Sequence, residues 1–191
     1  MLASYHMPPI ICKSSIFLIF ALLLSGCQKK DIVYSPIHQK KSDFIKKSQE
    51  ISKKREENER KFLEIWVKQR EDSLNIDYQE TASGIWIRYI NKNDEPKAQD
   101  NDFVTYTAEI RTLAQKVIYT KAEFGEKKII LGKYNEIRGI ESALHLLSKG
   151  ETVELLLPSF NAYGLYGDEK KIGANVPLIV GLEILDVKQK E

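Results

Sequence analysis

Cysteine is nearly missing from this chain. There are two, Cys12 and Cys27, so beyond residue 27 no disulfide, thiolate metal site or cysteine nucleophile is available. Histidine is as scarce, at positions 6, 38 and 145. No His-x-x-x-His or Glu-x-x-His pair occurs, which argues against a catalytic transition-metal centre. His145 falls among apolar residues and reads as a packing or surface residue. No charge of one sign prevails: Lys+Arg number 29 and Asp+Glu 27, whereas a nucleic-acid binder shows a strong basic excess. Gly164, Gly167 and Gly173 share one loop, but their spacing is not that of a phosphate cradle and no Gly-Lys-Ser/Thr follows. No metal, nucleotide or organic cofactor is therefore expected, and no nucleic-acid partner. A bilayer-spanning run is also lacking: Ile16–Leu24 is wholly apolar but only about nine residues, against the roughly 20 a spanning helix needs.

What is present begins with that short run. Lys13 precedes it and Leu24-Ser25-Gly26-Cys27 follows it, which is the layout of a secretory signal peptide. The small residues directly before Cys27 resemble the lipobox of bacterial lipoproteins. That resemblance implies cleavage after Gly26 and lipid on Cys27, with multiple acyl chains giving stable anchoring. The alternative is an ordinary secreted protein cut near Gly26. Gln28, where an Asp would favour inner-membrane retention in well-studied Gram-negative bacteria, points to the outer membrane, with the domain facing the periplasm.

The remaining chain of about 165 residues suffices for one domain and an appendage. Residues 1–26 read as signal peptide and 27–39 as lipidated cysteine and tether. Residues 40–75 read as a charged helix. Between Lys40 and Arg70 there is no glycine or proline. Opposite charges recur four apart, as in Glu56–Arg60, Glu57–Lys61 and Glu64–Lys68, and Ser42-Asp43 offers an N-terminal cap. Phe62, Leu63, Trp66 and Val67 form an apolar stripe at helical spacing. The first half of this helix thus reads as solvated and the second as docked. The charged half is a solvated spacer or a contact surface for a partner or a second copy. Deleting residues 40–70 is expected to spare catalysis on small peptides.

From Ser83 onward strand spacing takes over. Alternation covers Ile85–Tyr89, Phe103–Leu113 and Leu178–Val187, Lys128–Leu131 reads as a short apolar strand, and Thr152–Leu157 reads as a strand ended by Pro158. The one helical stretch, Gly139–Ser148, places Ile140, Ala143, Leu144 and Leu147 on one face. The order predicts an α+β domain, a mostly antiparallel sheet wrapped on one short helix.

Five blocks, in order, resemble the FKBP-type peptidyl-prolyl isomerases. They are Phe103-Val-Thr-Tyr106-Thr, Ile137-Arg-Gly139-Ile-Glu-Ser-Ala-Leu144, Leu147-Ser-Lys-Gly150-Glu151, Leu157-Pro-Ser-Phe160-Asn-Ala162-Tyr163-Gly164 and Val176-Pro-Leu178-Ile-Val180. The likeness covers residues 80–188. With the lipobox and the long helix, Val117-Ile-Tyr119 and Ala162-Tyr-Gly-x-Tyr-Gly-Asp168 resemble the gliding-motility-associated prolyl isomerase lipoproteins of Bacteroidetes.

The resemblance implies an FKBP-like fold and prolyl cis/trans isomerisation of proline-containing exported polypeptides. It implies a catalytic set of Tyr163, Tyr106 and Ile137, with Ile118, Ile172 and Val180 binding substrate. The plainer reading makes all six core residues of a small β-rich domain. The chain departs from the family at Ile118-Tyr119, where an aromatic and an Asp are usual, and at Lys127, Ile140 and Val180. These departures predict a pocket with less aromatic surface and weaker binding of macrolide inhibitors. A non-catalytic chaperone, or a scaffold of an envelope machine, is the alternative to an enzyme.

Overall fold

Backbone hydrogen bonds join seven strands into one antiparallel sheet, with side chains alternating between its two faces. The computed structural model describes residues 38–133 and 137–190, with side chains from residue 43 onward. Cys27 and the segments before and after it, through residue 37, lie outside the described residues. The strands are β1 (Gln79–Glu80), β2 (Trp86–Asn91), β3 (Phe103–Arg111), β4 (Val117–Tyr119), β5 (Glu126–Ile130), β6 (Thr152–Leu157) and β7 (Leu178–Lys188). Their order is β1-β2-β6-β7-β3-β4, and β5 pairs with the first half of β3. The α-helices are α1 (His38–Leu74), α2 (Lys121–Phe124) and α3 (Arg138–Leu144). The α+β class, the FKBP-like sheet on a short helix and the long N-terminal helix are as the sequence predicts. Three local differences stand out. Helix α1 begins ahead of the Ser42-Asp43 cap. Helix α3 stops at Leu144 and continues as turns, with Leu146 N–H donating to the Ala143 carbonyl at 2.8 Å. Helix α2 is unforeseen.

Contacts divide the chain into a unit at Met1–Ile45 and one at Lys46–Glu191. Everything that follows concerns the second. Register assigns each face of its sheet. Ile87, Leu155, Val180 and Ile110 lie side by side across four strands and belong to the core that includes Ile140, Ala143 and Leu144 of α3. One residue along, Trp86, Leu156 and Ile179 form the parallel row, which points the opposite way. That face is covered by Leu63 and Val67 of α1 together with Tyr78, and Trp66 packs at its edge. Leu63 is 0% exposed. The sheet is therefore buried on both faces, and the second half of α1 is part of the domain core. This packing sets a different expectation for the deletion of residues 40–70, because their loss would strip one sheet face.

A polar group sits on that same face. Glu154 accepts from the Tyr78 hydroxyl at 2.5 Å and pairs with Arg111 at 2.8 Å and Arg88 at 3.5 Å. Burial pushes the Glu154 carboxyl up, but the Tyr78 hydrogen bond and the two guanidinium charges outweigh it and hold it below the usual range. The Tyr78 hydroxyl is pushed up, by burial first and then by donation to Glu154. A carboxyl depressed on folding contributes stability that is complete above its unfolded pKa and is lost as pH falls through the folded one. Thermal midpoints of the native chain are thus expected to drop as pH is lowered through and below the ordinary glutamate range. Glu154→Gln should melt lower at neutral pH and show a shallower acid slope. An unchanged slope would remove Glu154 from the acid response.

Candidate functional site

Two segments build one cleft beside the sheet. The first is the β4–α2 turn. Thr120 caps α2: its hydroxyl accepts from Glu123 N–H at 3.2 Å, while the Glu123 carboxylate accepts from Thr120 N–H at 3.0 Å. This reciprocal cap fixes a single helical turn and sets Phe124 at its end. The Phe124 ring packs against Tyr106 at 6.1 Å between centroids, inclined by 48°.

The second segment is the loop of residues 158–177 between β6 and β7. It opens with Pro158 and a 3₁₀ turn, Ser159–Asn161. Gly167 has φ 70°, and a Cβ there would run into the Ile172 carbonyl oxygen, so glycine is required on both counts. Asp168 organises the tip. One carboxylate oxygen accepts from the backbone N–H groups of Lys170, Lys171 and Ile172 at 2.9, 2.9 and 2.7 Å. The other accepts from the Tyr119 hydroxyl. Lys171 then crosses to the first segment, donating to Glu123 at 2.6 Å and to the Ile118 carbonyl at 3.2 Å. Its ammonium lies 4.6 Å from the Tyr119 ring centre.

These contacts set the charge states. The Lys171 hydrogen bond, followed by those from Thr120, lowers the Glu123 carboxyl to about 2. Burial raises Asp168, but the Tyr119 hydroxyl and the three backbone donors outweigh it and leave it below the usual range. Donation to Asp168 is the main reason Tyr119 is held above the usual phenol range. Both carboxylates are anions at neutral pH and are engaged as acceptors, so neither is poised to deliver a proton.

The cleft so formed has a volume of about 290 Å³ and is lined by Tyr119, Glu123, Phe124, Lys127, Ile137, Tyr163, Asp168 and Lys170. Of the six residues the resemblance singles out, Tyr163 and Ile137 meet here. Ile137 precedes α3 in extended conformation, and its carbonyl accepts from Ile140 and Glu141 N–H at 3.0 and 3.1 Å. Tyr106 and Val180 are 0% exposed and Ile172 is 4% exposed. All three belong to the core, Tyr106 directly behind Phe124, while Ile118 is half-buried against it. Sequence reasoning missed Phe124, Asp168, Glu123 and the position of Tyr119. The reading that counts lost rings at 118, 127, 140 and 180 overlooks two that line the cleft, Tyr119 and Phe124. Lys127 stands over Phe124, its ammonium 5.7 Å from the ring centre.

A larger cleft of about 560 Å³ runs along α1, lined by Ile51, Arg55, Glu59, Phe62 and Pro177 among others. It contains neither Tyr163 nor Ile137, so the smaller cleft is the candidate active site. Among the described residues no three His, Cys, Asp or Glu side chains converge as a metal site would require. His145 follows α3 and lies 3.7 Å from Asp100. The small cleft combines the rings of Tyr119, Phe124 and Tyr163 and the Ile137 side chain with four charged residues, Glu123, Lys127, Asp168 and Lys170.

Residues 94–185 match the family model of FKBP-type peptidyl-prolyl cis-trans isomerase. The outer membrane protein MIP of Legionella longbeachae is 28% identical over 170 residues, covering 88% of this chain and 69% of that protein. A peptidyl-prolyl cis-trans isomerase from Pseudomonas syringae pv. tomato superposes with a TM-score of 0.55 at 24% identity, over 70% of this chain and 96% of that one. FkpA from Escherichia coli superposes with a TM-score of 0.54 at 18% identity, over 93% and 83% of the two chains. At such identities the structural likenesses speak for the fold, and the sequence matches speak for the family. Fold and sequence agree: residues 94–185 form a domain of the FKBP-type peptidyl-prolyl cis-trans isomerase family, and the chain is homologous to the outer membrane protein MIP.

Proposed function

We propose that this protein isomerises prolyl bonds in exported polypeptides at the cell envelope, and that its active site is the cleft where Tyr163, Ile137 and Phe124 converge. That convergence is the observation on which the reading rests. Rotation about an X–Pro bond crosses a barrier of about 20 kcal/mol because twisting breaks amide resonance. The twisted amide separates less charge than the planar one, so water favours it less. Aromatic and aliphatic surface that displaces water from the bound prolyl amide therefore lowers the barrier without acid, base, nucleophile or metal. In this reading the Tyr163 hydroxyl donates to the substrate carbonyl and holds it in position, Ile137 and Phe124 bound the proline ring, and Tyr106 backs Phe124. Ile118, Ile172 and Val180 support the walls from beneath.

The test is prolyl exchange in an Ala-Leu-Pro-Phe-type peptide, followed by exchange NMR with the polypeptide of residues 28–191, which contains every described element. Acceleration, with peptide-induced shifts clustered at Phe124, Ile137 and Tyr163, is expected. A folded chain that gives no acceleration would leave the chaperone or scaffold reading standing. The wide groove beside α1, with Ile51 and Phe62 exposed, is the feature that favours such a holding role. Self-association or partner contact through residues 40–75 belongs to that second reading.

Envelope placement rests on the leader, the lipobox-like string and the relative named as an outer membrane protein. We place the anchor at Cys27 in the outer membrane, with the domain in the periplasm and gliding-motility components among its clients. Cys27→Ser is expected to move the protein from the membrane fraction to the soluble one; retention in the membrane would rule the anchor out.

A further inference from the structure

We infer that α1 positions the active-site loop: Glu59 and Arg55 form a two-point latch that holds Tyr163 where catalysis needs it. This inference rests on the isomerase reading of the cleft and adds to it a positioning role for a helix that lies outside the residues matched to the family.

Residues 55 and 59 are one turn apart on the same helix face. Glu59 grips the start of the 158–177 loop. One of its carboxylate oxygens accepts from Ser159 N–H at 2.7 Å, and the other accepts from the Ser159 hydroxyl at 2.6 Å. The Ser159 carbonyl in turn accepts from Ala162 N–H at 3.1 Å and from Gly164 N–H at 2.8 Å. These N–H groups belong to the two residues that flank Tyr163. A single residue, 3% exposed, thus has its donors held by the helix and its acceptor holding both sides of the catalytic tyrosine. Arg55 grips the other end, donating to the Asn175 side chain at 3.2 Å. Asn175 occupies a left-handed conformation with φ 56°, and its N–H donates to the Gly164 carbonyl at 2.7 Å. Both grips therefore converge on the residues beside Tyr163.

Helix docking does not require this pair. The apolar contacts of α1 with the sheet come from Leu63 and Val67, one to two turns further along. A charge-assisted bidentate contact is short and directional, which suits fixing a backbone segment more than adding burial. The arrangement makes turnover depend on the integrity of the charged half of α1. A partner that engages that half would then alter catalysis from outside the cleft.

The experiment compares Glu59→Ala, Glu59→Gln and Arg55→Ala in the polypeptide of residues 28–191. Peptide exchange rates are resolved into kcat and KM, and amide hydrogen exchange is read at Ala162 and Gly164. The latch predicts about a tenfold lower kcat for Glu59→Ala with KM little changed, since misplacement by fractions of an ångström penalises the reacting geometry. Faster exchange at both amides should accompany it. Glu59→Gln should restore kcat to within about twofold, because its amide oxygen accepts from Ser159 N–H and its amide nitrogen donates to the Ser159 hydroxyl. Arg55→Ala, on an exposed side chain, should lower kcat about twofold to threefold and keeps the test open if Glu59→Ala folds poorly. Wild-type kcat in Arg55→Ala and in a folded Glu59→Ala overturns the latch and leaves the isomerase reading intact. No turnover in the unsubstituted chain overturns the isomerase reading, and the latch with it.

Discussion

A chain that begins at residue 75 is expected not to fold, although it retains every strand and the whole cleft. Residues 63–67 of α1 form the cover of one sheet face. Removing them exposes Tyr78, Trp86, Leu156 and Ile179 as well as deleting Leu63 and Val67. Fully burying a large apolar side chain contributes about 1.5–3 kcal/mol. Six such residues therefore represent roughly 10 kcal/mol, even after allowing for a denatured chain that already buries part of its surface. A domain of this size has only about 5–15 kcal/mol in total. The deletion consumes that margin, and Glu154 would lose the shelter that makes its ion pairs with Arg111 and Arg88 effective. Circular dichroism and amide dispersion of residues 75–191 would read the outcome directly. Within the intact chain Leu63→Ala should cost about 2–5 kcal/mol, lowering the thermal midpoint by roughly 5–15 °C. A native-like, cooperatively melting 75–191 piece would mean that the sheet face tolerates solvent and that α1 is an appendage after all.

How far the sequence foretells this architecture depends on the range of the interaction. Strands β3 and β7 were legible from alternation, and β6 from an apolar run ended by Pro158, because these are local signals. The docking of α1 was half legible. The Phe62–Val67 stripe shows an apolar face, and the unbroken runs Leu155–Leu157 and Leu178–Val180 mark strands covered on both sides, but neither says that one meets the other. Helix α2 was missed because one turn is too short to show a period. Its signal was there in Thr120-Lys-Ala-Glu123, the spacing of a reciprocal cap, and reading it would have placed Phe124 in the cleft. The Tyr119–Asp168 hydrogen bond joins positions 49 apart and leaves no local trace. The chain lacks the usual carboxylate after Ile118, yet a carboxylate reaches the cleft from the loop instead. Position-by-position comparison registers the loss and is blind to the gain.

The largest expected effect on activity falls on Tyr163. Tyr163→Phe keeps the ring and removes the hydroxyl. A hydrogen bond contributes about 0.5–1.5 kcal/mol net, so kcat/KM should fall roughly twofold to tenfold. Tyr163→Ala also removes the ring from the cleft wall. Adding about 1.5–3 kcal/mol of apolar contact brings the expected loss to the order of a hundredfold. Because Tyr163 is only partly buried, both variants should stay folded and melt within several degrees of the native chain. Exchange NMR on the proline peptide, run on folded protein, separates the contributions. If Phe and Ala fall together, the hydroxyl carries the effect and the ring is idle. If Phe matches the native chain while Ala collapses, the cleft works as an apolar surface and the carbonyl is held by some other donor. If neither substitution matters, prolyl turnover takes place elsewhere on the molecule, and the groove along α1 becomes the surface to probe.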